Sequence, residues 1–192
     1  GLVGSEMCIE TDIDGDYTVT ITGTDPASLS DLVAINNDMS GTITLNAATI
    51  AATWSGSASD LSAAFDGITS LTGAITITGT DPTVAELNAI AGATSGVVTA
   101  SISGSASTLN AGLGNLAATD AITFTLDAGS AAATDLTDLD AKTNVTVDAT
   151  AITGITGSAA EVAAVITAHT NSPSTINICL LYTSDAADEE DS

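Results

Sequence analysis

The sequence predicts an α/β fold: a right-handed β-α solenoid, with a parallel sheet and one short helix per repeat of about 24 residues. Three observations predict it. A Thr-rich strand pattern recurs six times, at intervals of roughly 23 to 32 residues. Each copy alternates apolar and polar residues, the period of a strand with one buried face. Between copies, apolar residues fall at helical spacing behind a Ser or Asp.

The strand halves read Thr18–Thr22 (TVTIT), Thr42–Asn46 (TITLN), Ala74–Thr78 (AITIT), Val97–Ile102 (VVTASI), Ala121–Leu126 (AITFTL) and Val145–Asp148 (VTVD). Val19 and Ile21, Ile43 and Leu45, Ile75 and Ile77, Ile122 and Phe124, and Val145 and Val147 fall on one face, expected to be buried. The threonines between them take the other face, and β-branched residues suit both sides of a pleated surface.

The helical stretches carry Leu29, Leu32 and Ile35; Leu61, Phe65 and Ile68; Leu87 and Ile90; Leu109, Leu113 and Leu116; Leu136 and Leu139; and Val162, Val165 and Ile166. Asp25, Ser57, Asp81, Ser105, Ser130 and Ser158 are the expected N-caps, with Pro26 and Pro82 at the first helical position. Ser158 and Glu161 have the spacing of a capping box. Gly41, Gly73 and Gly96 are expected to turn the chain toward the next strand. A strand, a helix and a like strand make a right-handed crossover, which puts the helices over the aliphatic face.

Two lead-ins alternate. Thr22–Pro26 and Thr78–Pro82 both read TGTDP, with Leu126–Ala131 (LDAGSA) a degenerate copy; Gly56–Asp60, Gly104–Thr108 and Gly157–Glu161 begin Gly-Ser-Ala. In the Gly-Ser-Ala type the strand region is longer, so Ile50 with Trp54, or Ile152 with Ile155, is expected to add a strand or a bend. The expected organisation is an irregular leader or cap over 1–16 and a repeat solenoid over 17–178. The solenoid comprises pairs 17–73, 74–120 and 121–173 and a truncated copy at 174–178.

Residues 179–192 stand apart. Cys179–Glu189 reads CLLYTSDAADE, which resembles the translation of a transposase-type sequencing adapter. The resemblance implies a non-native acidic tail and a metagenomic fragment of a longer reading frame.

The formal net charge is −23. Setting aside Asp185, Asp188, Glu189, Glu190 and Asp191 still leaves about −18, against the single base Lys142. Such a chain repels phosphate backbones and anionic lipid surfaces, which argues against nucleic-acid partners. With no run of 18 apolar residues, membrane insertion is not expected. Cys8 and Cys179 imply no disulfide framework. Small side chains supply most of the apolar fraction. They suit the narrow aliphatic ladder of a stack better than one large core.

No catalytic constellation is present, and the chain is not expected to be an enzyme. His169 lacks the ligands a metal site needs and the oriented partners a triad needs. No phosphate-binding glycine loop occurs. No cofactor is implied, with calcium the one weak candidate. Asp12, Asp14 and Asp16 (TDIDGD) resemble the opening of a calcium loop, although Gly23 stands where a bidentate Glu belongs. The candidate surface array is Thr18, Thr20, Thr22, Thr42, Thr44, Thr76, Thr78, Thr99, Thr123 and Thr125. On parallel strands these would form a hydroxyl-and-methyl lattice, the arrangement of Thr-x-Thr ice-binding solenoids. Thr99 followed by Ser101, and Thr146 by Asp148, interrupt it.

Val84–Leu109 (VAELNAIAGATSGVVTASISGSASTL) and Leu136–Val162 (LTDLDAKTNVTVDATAITGITGSAAEV) resemble repeats of very large surface proteins of marine bacteria, notably cyanobacteria. The likeness covers most of Tyr17–Pro173. It implies an extracellular or cell-surface location, an adhesin-like role, and as partners the neighbouring repeats and cell-surface or particulate ligands. Phrases of the same type occur in marine phage tail fibres. The leading expectation is therefore a structural or adhesive repeat. Ice binding through the threonine face is the second expectation, and a phage tail-fibre segment the third.

Overall fold

The computed structural model describes residues 18–38, 41–171 and 173–179. It is mixed α/β, with seven helices among the described residues and strands that pair in parallel. The chain divides into two compact units, 1–100 and 101–192.

The first unit contains β1 (Val19–Thr20), α1 (Leu29–Asn37), β2 (Ile43–Thr44), α2 (Ala47–Ala51), β3 (Trp54–Gly56), α3 (Ala58–Ala64), β4 (Ile75–Ile77), α4 (Val84–Ala93) and the start of β5 (Val98–Gly104). Val19 pairs with Ile43. Trp54 pairs with Ile75, and Ile75 with Val98. Helix α3 packs between α1 and α4. Leu32, Leu61, Leu71, Ile75, Leu87 and Ile90 are fully buried between helices and strands. Trp54 meets Phe65 edge-on, with ring centroids 5.3 Å apart, a geometry that aligns the ring quadrupoles.

The second unit contains α5 (Ala106–Gly112), β6 (Ala121–Leu126), β7 (Gly129–Ala132), α6 (Ala133–Asp140), β8 (Val147–Ala149), β9 (Ile152–Thr156), α7 (Ala159–Thr170) and β10 (Ile176–Ile178). Thr125 pairs with Asp148, and Val147 with Ile176. Beside them β7 pairs with β9, shifting register between Gly129 and Ser130. Helix α6 lies between α5 and α7. Ile122, Phe124, Leu109, Leu136, Val147, Val165 and Ile176 are inaccessible to solvent.

Each pairing joins residues 21 to 29 positions apart, and side chains bridge similar separations. Thr94 Oγ1 donates to the Gly73 carbonyl, and Thr143 Oγ1 to that of Ile122, each across 21 residues. Asn46 Nδ2 reaches Gly23 O across 23 residues, and Thr153 Oγ1 reaches Gly129 O across 24. These bonds satisfy carbonyls where short strands stop pairing.

The structure corrects several local expectations. Asp25 and Asp81 are not N-caps, and Pro26 and Pro82 precede the helices instead of opening them. The caps are Ser28, accepting from Asp31 N, and Thr83, which forms a capping box with Glu86. In both TGTDP copies the glycine, Gly23 or Gly79, takes positive φ. Proline then disfavours helix at the Asp before it, so the chain stays extended to the next hydroxyl. Ser130 lies within β7, and α6 opens at Ala132 with no side-chain cap. Ser57, Ser105 and Ser158 cap as expected. Residues 43–54 hold an extra helix, α2, because Asn46 caps a turn by accepting from Thr49 N. One helix per repeat therefore fails there. Ile152 and Ile155 do form the added strand, β9. Gly73 and Gly96 serve close approach: a Cβ on Gly96 would lie 2.4 Å from Gly73 O.

Candidate functional site

All ten threonines of the candidate array are exposed. A strand sends successive side chains to opposite faces, and the alternate positions carry aliphatics that are buried at Leu45, Ile75, Val98, Ile122 and Phe124 but only half-buried at Val19, Ile21, Ile43 and Ile77. The register groups them into short rows. Thr20 lies beside Thr44 on β1 and β2. Ser55, Thr76 and Thr99 form a row across β3, β4 and β5. In the second unit the corresponding row is Thr125, Asp148 and Asn177. Threonine thus stands beside threonine in the first unit, and beside a carboxylate in the second.

That carboxylate is fixed by a turn. Asp148 Oδ1 accepts from the Thr150 hydroxyl at 2.6 Å and from the Thr150 N–H at 3.1 Å, which together close β8. The hydroxyl chiefly, and the amide next, hold its carboxyl below the ordinary aspartate range. The row therefore carries a persistent negative charge.

A polar cluster that sequence reasoning missed joins α5 to α6. Lys142 Nζ donates to Asn110 O at 2.8 Å and to Asn110 Oδ1. Asn110 Nδ2 in turn donates to Asp135 Oδ1 at 2.9 Å and Asp138 Oδ2 at 3.1 Å. The sole Lys is thereby linked through one amide to two carboxylates. Nearby, burial raises the carboxyl of Asp140 above its ordinary value, partly offset by the Thr175 hydroxyl.

His169 packs against the strand that follows it. Its Nδ1 lies 3.3 Å from the Ile178 N–H, which donates to it, and 3.3 Å from the Ile176 carbonyl. Trp54 is buried at the start of β3, and its Nε1 has no acceptor among the described residues.

Thr143 joins several backbone groups through one hydroxyl. Buried, it accepts from Ile122 N at 2.9 Å and Val145 N at 3.1 Å while donating to Ile122 O. Thr72, Thr94 and Thr143 all precede a strand by three or four residues, a spacing visible in the sequence but lying off the strand faces.

Asp12, Asp14 and Asp16 lie outside the described residues. Among the described residues no group of three or more His, Cys, Asp or Glu could hold a metal ion. No described helix is long and apolar enough to cross a membrane. Comparison of the chain with protein-family models, curated proteins and solved structures found no match.

Proposed function

We propose that this chain is a non-enzymatic structural or adhesive repeat segment of a large extracellular surface protein, built as a right-handed β-α solenoid. One observation carries the reading. Parallel pairing and side-chain-to-carbonyl bonds both step along the chain by comparable distances, among them 21 residues at Thr94–Gly73, 24 at Thr153–Gly129 and 29 at Val147–Ile176. Polar groups are spent on holding one level to the next. In a stack of like units, single levels can be removed or added in register. Deleting residues 75–97, which superposes Val98 on the place of Ile75, is therefore expected to leave a folded chain.

A second reading, ice binding, draws on the exposed Thr20–Thr44 and Thr76–Thr99 pairs. Strand spacing sets such hydroxyls about 4.8 Å apart across the sheet. Thermal hysteresis of the full chain separates the two readings. The structural reading expects no freezing-point gap at millimolar protein, and a gap abolished by Thr76→Asp would favour the ice face.

A further inference from the structure

We propose that the outer edge of β9, together with the end of β10, is an acceptor for one further parallel strand of the repeat's own chemistry. This rests on the repeat reading above and names the partner of its surface.

The ladder shows where that strand belongs. Phe124 leads by five residues to Gly129, and Val147 by the same step to Ile152; Gly129 and Ile152 are partners. Strand β8 is followed in the sheet by β10, with Val147 level with Ile176. Strand β9 has β7 on one side, while among the described residues no strand continues the β7–β9 ladder on the other. A cavity of about 420 Å³ opens there, with walls that include Thr150, Ile152, Thr153, Gly154, Ile155 and Ile178. None of these carries a charge.

The occupant follows from continuity with the β7–β9 pairing. An added parallel strand satisfies the outward N–H and C=O groups of the edge, and its alternate side chains meet the pocket walls. Apolar residues in register with Ile152 and Ile155 fit, whereas an acidic residue there would lie uncompensated on an apolar wall. The segment Ala151–Thr156 (AITGIT) itself has this pattern, so the partner is another repeat of the same kind.

The test replaces residues 179–192 of the full chain with a second copy of residues 150–171. Because Ile178 is level with Ala149, the copied AITGIT falls in register with β9. Amide hydrogen exchange of residues 152–156 is expected to slow at least tenfold relative to the parent, with a higher thermal midpoint. A graft carrying Asp at the copies of Ile152 and Ile155 is expected to lose both effects. Unchanged exchange at 152–156 in the first graft overturns the proposal. In the parent, Leu181→Asp is expected to leave that exchange unaltered; faster exchange would assign the edge to the chain's own tail and equally overturn it. Failure of the graft with a folded 75–97 deletion refutes only the acceptor edge. An unfolded deletion refutes the repeat reading itself.

Discussion

Thr143 shows how much a single hydroxyl can hold in this chain. Replacing it with Val keeps the volume but strips the Ile122 and Val145 N–H groups of their acceptor in a buried setting. Chemical denaturation of Thr143→Val is expected to show a loss of about 1–3 kcal/mol. The same change at exposed Thr123 should stay within about 0.5 kcal/mol. The two faces of β4 give a second contrast. Ile75 is fully buried and Thr76 exposed, so Ile75→Asp should abolish the cooperative thermal transition, while Thr76→Asp leaves it in place. Equal damage from both would reverse the assignment of faces. This alternation was legible in the sequence, since period two needs no knowledge of neighbours. The role of Thr143 was not, because it depends on which carbonyl lies one level away.

Helix ends decide how the elements respond to pH. Glu86 accepts from the Thr83 hydroxyl at 2.7 Å and the Thr83 N–H at 2.9 Å; the hydroxyl first, then the amide, hold its carboxyl below the usual glutamate value. Because the folded value is the lower one, the cap's contribution is complete above the ordinary glutamate range. It is lost as pH falls through the depressed value. Glu86→Gln is expected to lower the thermal midpoint at pH 7, and the gap between variant and parent should narrow as pH falls below the ordinary glutamate range. A gap independent of pH would mean the carboxylate charge plays no part. Which residue caps a helix was only partly readable. Ser57, Ser105 and Ser158 stand directly before their helices, whereas Asp25 and Asp81 are displaced by the glycine and proline beside them. Helix α2 escaped the reading because one five-residue turn has too few positions to show a period. At Gly96 the residue was legible but its cause was not, since the carbonyl of Gly73 it admits belongs to the previous level.

At the scale of the whole molecule, the repeat period was the most legible property. Among the six strand copies, Val19 pairs with Ile43, Ile75 with Val98 and Thr125 with Asp148, whereas Ile75 takes its other partner from Trp54 and not from the 42–46 copy. The threonine face was legible as a set of exposed residues. Its continuity was not, because rows are set by register, and register places Asp148 and Asn177 beside Thr125. The proposed stack of like units would have nearest-neighbour energetics, so that losing one level would remove one interface without dismantling the others. Thermal unfolding of the full chain lacking residues 75–97, followed by circular dichroism, tests this most directly. Mixed helix and strand signal and a cooperative transition at a reduced midpoint are expected. A chain with no cooperative transition at any temperature would contradict it.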